Sequence, residues 1–81
     1  MKIDLRRSAI KDLDQLDVTK RKSMLSHIQE LSAFPNVSQI KRLSNYSPAY
    51  RLRVGSYRVL FDVSNDVIVI GRILHRKDAY R

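Results

Sequence analysis

The chain has 81 residues, which suffices for one small domain, residues 1–81, and leaves no room for a second. Apolar residues make up 43% of it, with no cysteine, so we expect a packed globule without disulfides or thiolate metal sites. Sixteen basic against eight acidic side chains give a formal charge of +8, which predicts a polyanionic partner.

The apolar residues form no long run. The longest continuous one, Val67 to Ile70, is far too short for a membrane-spanning helix or a signal peptide. We therefore expect a soluble, cytoplasmic protein without a membrane partner. The charge is uneven, because residues 1–40 carry seven basic and five acidic side chains and residues 41–81 carry nine and three. The anion is expected to meet the C-terminal half.

The N-terminal half predicts a strand and a helical hairpin. Residues 2–6 alternate apolar with polar side chains, as in a half-buried strand. Ser8 is predicted to cap a first helix and Asp17 a second, and the basic run at 20–22 is interpreted as a solvated helix face. Pro35 ends the hairpin. The expected apolar positions are Ile10, Leu13 and Leu16 in the first helix and Met24, Leu25, Ile28 and Leu31 in the second.

The C-terminal half predicts strands. The segments 40–43, 50–54, 57–63 and 67–74 are rich in β-branched and aromatic residues. The order is then β-α-α-β-β-β-β. This order predicts the α+β class, with an antiparallel-rich β-sheet packed against an N-terminal helical hairpin.

The segment "YRLRVGSYRV", residues 50–59, predicts a hairpin with a type II′ turn at Gly55-Ser56. In that register Arg53 faces Arg58 across the strands, although like charges so placed are destabilising. The next connection, 64–66, is read as three residues long, so that Arg58 also faces Arg72. A two-residue connection would instead point Arg72 at the helices, where an unpaired guanidinium is costly. A cluster of arginines on one face makes sense if a multiply charged anion binds between them.

The strings "YRLRVGSYRVLF" (50–61) and "HRKDAYR" (75–81), in this order, resemble the RelE family of toxins within the RelE/ParE superfamily. Ala9 to Leu16 is also similar to the opening of that family's first helix. The resemblance implies a RelE-like microbial RNase fold and a ribosome-dependent endoribonuclease that cleaves messenger RNA in the ribosomal A site. It further implies a metal-independent reaction without cofactors, and a RelB-like antitoxin as partner beside the ribosome and mRNA.

The resemblance also implies site residues. By position, the catalytic set is Arg58, Arg76 and Tyr80, and Arg51 and Arg53 match the family's basic pair in the first hairpin strand; the other basic residues of the C-terminal half, Arg72, Lys77 and Arg81, complete the predicted RNA-binding set. Guanidinium groups suit the stabilisation of a phosphorane, because they bind phosphate oxygens in pairs and stay charged. His75, an imidazole, is a second candidate acid or base, although strand parity points it away from Arg76. Two histidines 48 residues apart, with no carboxylate at ligand spacing, predict no metal site.

Two other functions stay open. ParE members of the superfamily share the fold, poison DNA gyrase and lack the RNase arginines, so a ParE-like gyrase inhibitor is the first alternative. A non-catalytic RNA-binding module is the second, since composition alone is compatible with it.

Overall fold

The computed structural model describes residues 1–43 and 48–79. The helices and strands follow the predicted order, with one short 3-10 helix added after the second α-helix. Their bounds are β1 Lys2–Leu5, α1 Arg7–Asp14, α2 Val18–Gln29, the 3-10 helix Glu30–Ala33, β2 Ile40–Arg42, β3 Tyr50–Val54, β4 Tyr57–Ser64 and β5 Val67–His75.

The strands form one five-stranded sheet in the order β1-β5-β4-β3-β2. β1 runs parallel to β5, and the other neighbours are antiparallel. The chain segment between β1 and β2 carries both α-helices, so the hairpin of helices can pack on one face of the sheet. This arrangement confirms the predicted α+β fold.

The core lies between the helices and that face of the sheet. The prediction that the helices cover the face with Leu52, Val59 and Phe61 is confirmed, since these side chains are at most 2% exposed. They pack in one cluster with Ala9, Leu13 and Leu16 and with Met24, Ile28 and Leu31. Ile10 was expected in this core but is 47% exposed, because it lies about 100° around α1 from Ala9.

The start of α2 was predicted correctly and the start of α1 was not. Asp17 caps α2, its carboxylate accepting a hydrogen bond of 2.8 Å from the backbone N–H of Lys20. Ser8, by contrast, lies inside the first turn of α1, and its Oγ donates to the carbonyl of Gly71 at 2.6 Å. The hydroxyl thus provides a hydrogen-bond donor for the carbonyl of Gly71 at the edge of β5. None of the helices in the described residues has the length and apolar character of a membrane span.

The basic run at 20–22 is only partly a solvated face. Arg21 is half-buried, and its Nε and Nη2 donate to the carbonyls of Leu13 (3.2 Å) and Leu16 (2.9 Å). Leu13 lies in the last turn of α1, where its carbonyl also accepts from the backbone N–H of Leu16, and Leu16 lies two residues beyond the end of the helix. Arg21 of the second helix therefore binds the C-terminal end of the first helix and the connection that follows it.

The connection between β4 and β5 differs from the prediction. Ser64 pairs with Val67, so the connection has two residues, Asn65 and Asp66, with φ of 49° and 64°. The prediction of a three-residue connection, with Val63 opposite Val67, was wrong. Two consecutive residues at positive φ suit a tight hairpin turn, and Asn and Asp tolerate that conformation.

A β-bulge then changes the side-chain parity of β5. Phe61 pairs with Ile70 but Leu60 pairs with Arg72, which leaves Gly71 as the extra residue. Arg72 is thereby turned away from the helices, as predicted, although for a different reason. Its cross-strand partner is Leu60, and Arg58 faces Leu74, so the predicted Arg58 to Arg72 pairing was wrong.

Candidate nucleic-acid interface

The face of the sheet that points away from the helices carries four arginines. Leu52 and Val59 are buried against the helices, so the residues that alternate with them lie on the opposite face. This surface, here called the arginine face, holds Arg51, Arg53, Arg58 and Arg72. The strand register thus agrees with the prediction that these arginines share one face.

Two rows of side chains cross the arginine face from strand to strand. The first row is Lys41, Arg51, Leu60 and Arg72, and the second is Arg53, Arg58 and Leu74. Each row therefore has two cations directly opposite each other, an arrangement that destabilises a sheet. A bound polyanion would relieve this repulsion by placing negative charge between the cations.

Arg58 lies at the end of the face next to the β3–β4 turn. Its Nη1 donates to the carbonyls of Gly55 (3.0 Å) and Tyr57 (2.9 Å), and the residue is half-buried. Gly55 has φ of 58°, the left-handed conformation that a glycine opening such a turn adopts readily. The conformation of the turn therefore helps to orient this guanidinium.

Arg76 reaches the same turn from the end of β5. Its backbone N–H donates to the carbonyl of Ser56 at 2.7 Å, and the residue is exposed. Arg58 and Arg76, which are 18 positions apart in the sequence, are thus both hydrogen-bonded to the Gly55-Ser56 connection. The fold brings together the two arginines that were predicted to be catalytic.

Arg72 is paired with a carboxylate of α1. Its Nε and Nη2 donate to the two carboxylate oxygens of Asp12 at 2.8 and 3.1 Å, and Asp12 also accepts from the backbone N–H of Ile73 at 2.8 Å. The hydrogen bond with Asp12 raises the pKa of the Arg72 guanidinium, partial burial opposes the shift, and the carboxylate charge adds to it. Asp62 of β4 accepts from the backbone N–H of Ala49 at 2.7 Å.

His75 lies on the helix side of the sheet. It pairs in register with Tyr57, and the two rings meet edge to face at 5.5 Å. Its Nδ1 accepts from the backbone N–H of Lys77 at 3.2 Å, so the neutral ring carries its proton on Nε2. With Tyr57 and His27 it lines a groove of about 390 Å³ between α2 and the β3–β4 turn. The structure does not bring His75 together with the arginines.

The segment after β5 contains the remaining predicted residues. Lys77 is exposed in a turn, and the backbone N–H groups of Asp78 and Ala79 both donate to the carbonyl of His75. Ala79 is buried, which ties this turn to the body of the protein. Tyr80 and Arg81, predicted as catalytic and RNA-binding residues, lie outside the described residues, and their roles stay predictions.

One basic residue of this surface was missed by the sequence analysis. Lys41 of β2 pairs with Arg51 of β3, and it is exposed on the arginine face. The alternation of Ile40 and Lys41 was visible in the sequence, but the pairing of β2 was not, because a connection of seven residues leaves the register open.

Comparison with known proteins gives one consistent family. A protein-family model for the ParE toxin of the type II toxin-antitoxin system, parDE, matches residues 3–80. Toxin RelE3 of Methanocaldococcus jannaschii is 33% identical to this chain over 84 aligned positions, which cover 99% of the chain and 96% of the relative.

Solved structures show the same similarity. A chain of the RelB-RelE antitoxin-toxin complex from Methanococcus jannaschii is 31% identical, with a TM-score of 0.78 and coverage of 95% of this chain and 94% of that one. A chain of the toxin-antitoxin complex RelBE2 from Mycobacterium tuberculosis is 25% identical, with a TM-score of 0.78 and coverage of 93% and 96%. The likeness therefore extends over nearly the full length of both chains.

Proposed function

Since the chain belongs to the RelE/ParE superfamily of type II toxin-antitoxin toxins, we propose that it is a ribosome-dependent endoribonuclease that cleaves messenger RNA and inhibits translation. The observation that carries the proposal is the attachment of Arg58 and Arg76 to one β-turn, at the end of a face with further basic residues. Such a pair can bind the oxygens of a single phosphate while neighbouring cations hold the adjoining nucleotides.

The proposed reaction uses the RNA's own nucleophile. The 2′-oxygen attacks the adjacent phosphorus, the bond from phosphorus to the 5′-oxygen breaks, and a 2′,3′-cyclic phosphate and a 5′-hydroxyl result. One proton leaves the 2′-hydroxyl and one reaches the departing 5′-oxygen. Arg58 and Arg76 would stabilise the charge that builds up on the phosphorane, since their guanidinium groups donate paired hydrogen bonds at any working pH.

Fewer residues are available for the two proton transfers than for stabilising the charge on the phosphorane. Tyr80 is the proposed donor or acceptor, on the strength of the family motif alone. His75 is a weaker candidate, because it lies with Tyr57 on the other side of the sheet. A site with so few general acids and bases would cut free RNA slowly. A ribosome that holds the codon in an attacking conformation would accelerate the cleavage.

The proposed partner that restrains this activity is an antitoxin. The similar structures from Methanococcus jannaschii and Mycobacterium tuberculosis are both antitoxin-toxin complexes. The charge of +8 favours an antitoxin with an acidic or amphipathic segment, which would compete with RNA for the same surface.

The test is a cell-free translation reaction in which messenger cleavage is mapped by primer extension, with and without ribosomes. Wild-type protein should cut inside codons only when ribosomes are present. Arg76→Ala should slow cleavage by about 10²- to 10³-fold, the usual effect of losing one donor to a charged transition state. Arg7→Ala, an equally exposed arginine on α1, is the matched control and should cut normally. Wild-type cleavage by Arg76→Ala would contradict the assignment.

A gyrase inhibitor is the second candidate, because the matching family model carries the ParE description. It would leave messenger intact in the translation reaction and would block DNA supercoiling by purified gyrase. Supercoiling that is unaffected by the protein would exclude this alternative.

A further inference from the structure

The arginine face is bounded by carboxylates on two sides. On the β5 side, Asp12 occupies the Nε and Nη2 of Arg72. Towards the far end of the strands, the row next to Arg51 and Arg72 carries Asp62 of β4 and Asp4 of β1. The ion pair of Arg72 with Asp12 leaves no net positive charge on the β5 side, and the adjoining row carries two carboxylates, so both directions are less favourable for a phosphate backbone than one that ends in a cation.

The β2 side of the face differs, because it ends in a cation. Lys41 is exposed, and within residues 1–43 and 48–79 no hydrogen bond or ion pair engages its ammonium group. It stands directly opposite Arg51, whereas its neighbour Arg42 points to the other side and donates to the hydroxyl of Tyr50 at 3.2 Å. Positive charge therefore continues from β3 to β2 only through Lys41.

We infer that Lys41 contacts an RNA phosphate, and that the bound strand runs from Arg58 and Arg76 across Arg53 and Arg51 to the β2 edge. The inference deepens the proposed function and rests on it. It departs from the sequence-based prediction, which placed Arg72 and not Lys41 in the RNA-binding set: Lys41 binds RNA, and Arg72 serves as the structural partner of Asp12. The direction of the bound strand follows from the charges at the two edges of the face. Arg72 is paired with Asp12, whereas Lys41 has no ion pair among the described residues.

The geometry also defines the length of ligand that this path requires. Arg58 on β4 and Lys41 on β2 are two strands apart, which is about 10 Å across the sheet. The path crosses three strands and includes several cations, so an oligonucleotide with several phosphates can engage them together.

The experiment measures binding of a fluorescent, single-stranded 2′-O-methyl RNA, which lacks the attacking hydroxyl, over a series of potassium chloride concentrations. The variants are Lys41→Gln, Arg42→Gln and Arg72→Gln. Each removes one positive charge, so differences between them report position rather than net charge. Lys41→Gln should lower the slope of log affinity against log salt by about 0.7, the value for one phosphate on a single strand, while the other two keep the wild-type slope.

Lys41→Arg is the rescue variant and should restore the slope, with circular dichroism verifying that every variant is folded. An unchanged slope for Lys41→Gln would overturn the inference, as would an equal loss for Arg72→Gln, which would direct the strand over β5. The translation assay separates this outcome from failure of the proposed function. Wild-type cleavage with an unchanged Lys41→Gln slope refutes the path alone, whereas wild-type protein that neither binds nor cleaves RNA refutes both.

Discussion

Replacing Asp12 with alanine should destabilise the protein more than any other change of a single surface carboxylate in α1. Beyond Ile70, β1 no longer pairs with β5, so the C-terminal half of β5 has an edge without a strand beside it. There, α1 forms hydrogen bonds with the backbone of β5 through two side chains that are four residues apart. Ser8 donates to the carbonyl of Gly71, and Asp12 accepts from the N–H of Ile73.

The size of the effect follows from the contacts that would be lost. The Asp12 side chain is only 14% exposed. Removing a carboxylate that accepts from a backbone N–H lowers the free energy of unfolding by about 1.5–3 kcal/mol. The ion pair adds about 0.2–1 kcal/mol, because the Arg72 side chain is 48% exposed and solvent screens it. A total near 2–4 kcal/mol should lower the Tm of a domain of this size by on the order of 10 °C.

Urea and thermal unfolding, followed by circular dichroism, measure this loss. Asp14→Ala is the matched control, an exposed carboxylate at the end of the same helix, and should change the free energy of unfolding by less than about 0.5 kcal/mol. Arg72→Ala removes only the ion pair and should cost less than Asp12→Ala. Equal losses for Asp12→Ala and Asp14→Ala would refute the reasoning, and equal losses for Asp12→Ala and Arg72→Ala would refute the role of the backbone contact.

Four further outcomes are expected. Arg21→Ala should lower the free energy of unfolding by about 1–2 kcal/mol, because the carbonyls of Leu13 and Leu16 lose the guanidinium donor, whereas exposed Lys22→Ala should not; equal effects in urea unfolding would contradict this role of Arg21. Gly55→Ala should cost about 1–2 kcal/mol, since its φ of 58° strains an L-residue. Gly71→Ala should fold with little loss, because its new Cβ would lie 3.8 Å from the nearest backbone oxygen. Tripolyphosphate at constant ionic strength should raise the Tm of wild type more than that of Arg53→Gln, and equal shifts would argue against repulsion across the strands.

Local chemistry explains which parts of the fold were predictable. The Gly55-Ser56 turn fixes the β3–β4 register, because a two-residue connection permits only one pairing of the flanking residues. Asp17 was recognisable as a cap because its carboxylate accepts from the backbone N–H of Lys20, a bond within its own short segment. Ser8 was misread for the opposite reason, since its hydroxyl has a better acceptor on a strand 63 residues away.

The sequence does not show which residues of β5 face the helices. Val67 to Ile70 are all apolar, so they show no alternation from which the inward face could be assigned. The shorter connection and the bulge at Gly71 each shift the pairing of β4 with β5 by one residue, in the same direction. A total shift of two residues keeps Arg72 on the expected face and gives Arg58 a different cross-strand partner.

Periodicity and turn chemistry predicted the order of the elements, the helix-covered face of the sheet and the grouping of arginines on the other face. These signals lie within short segments, so they act wherever the segment lies in the fold. The contacts of Asp12 with Arg72 and of Lys41 with Arg51 are visible only once the chain has folded. Both contacts join residues whose relative position depends on how α1 and β2 dock against the sheet, and docking is governed by packing of the whole core.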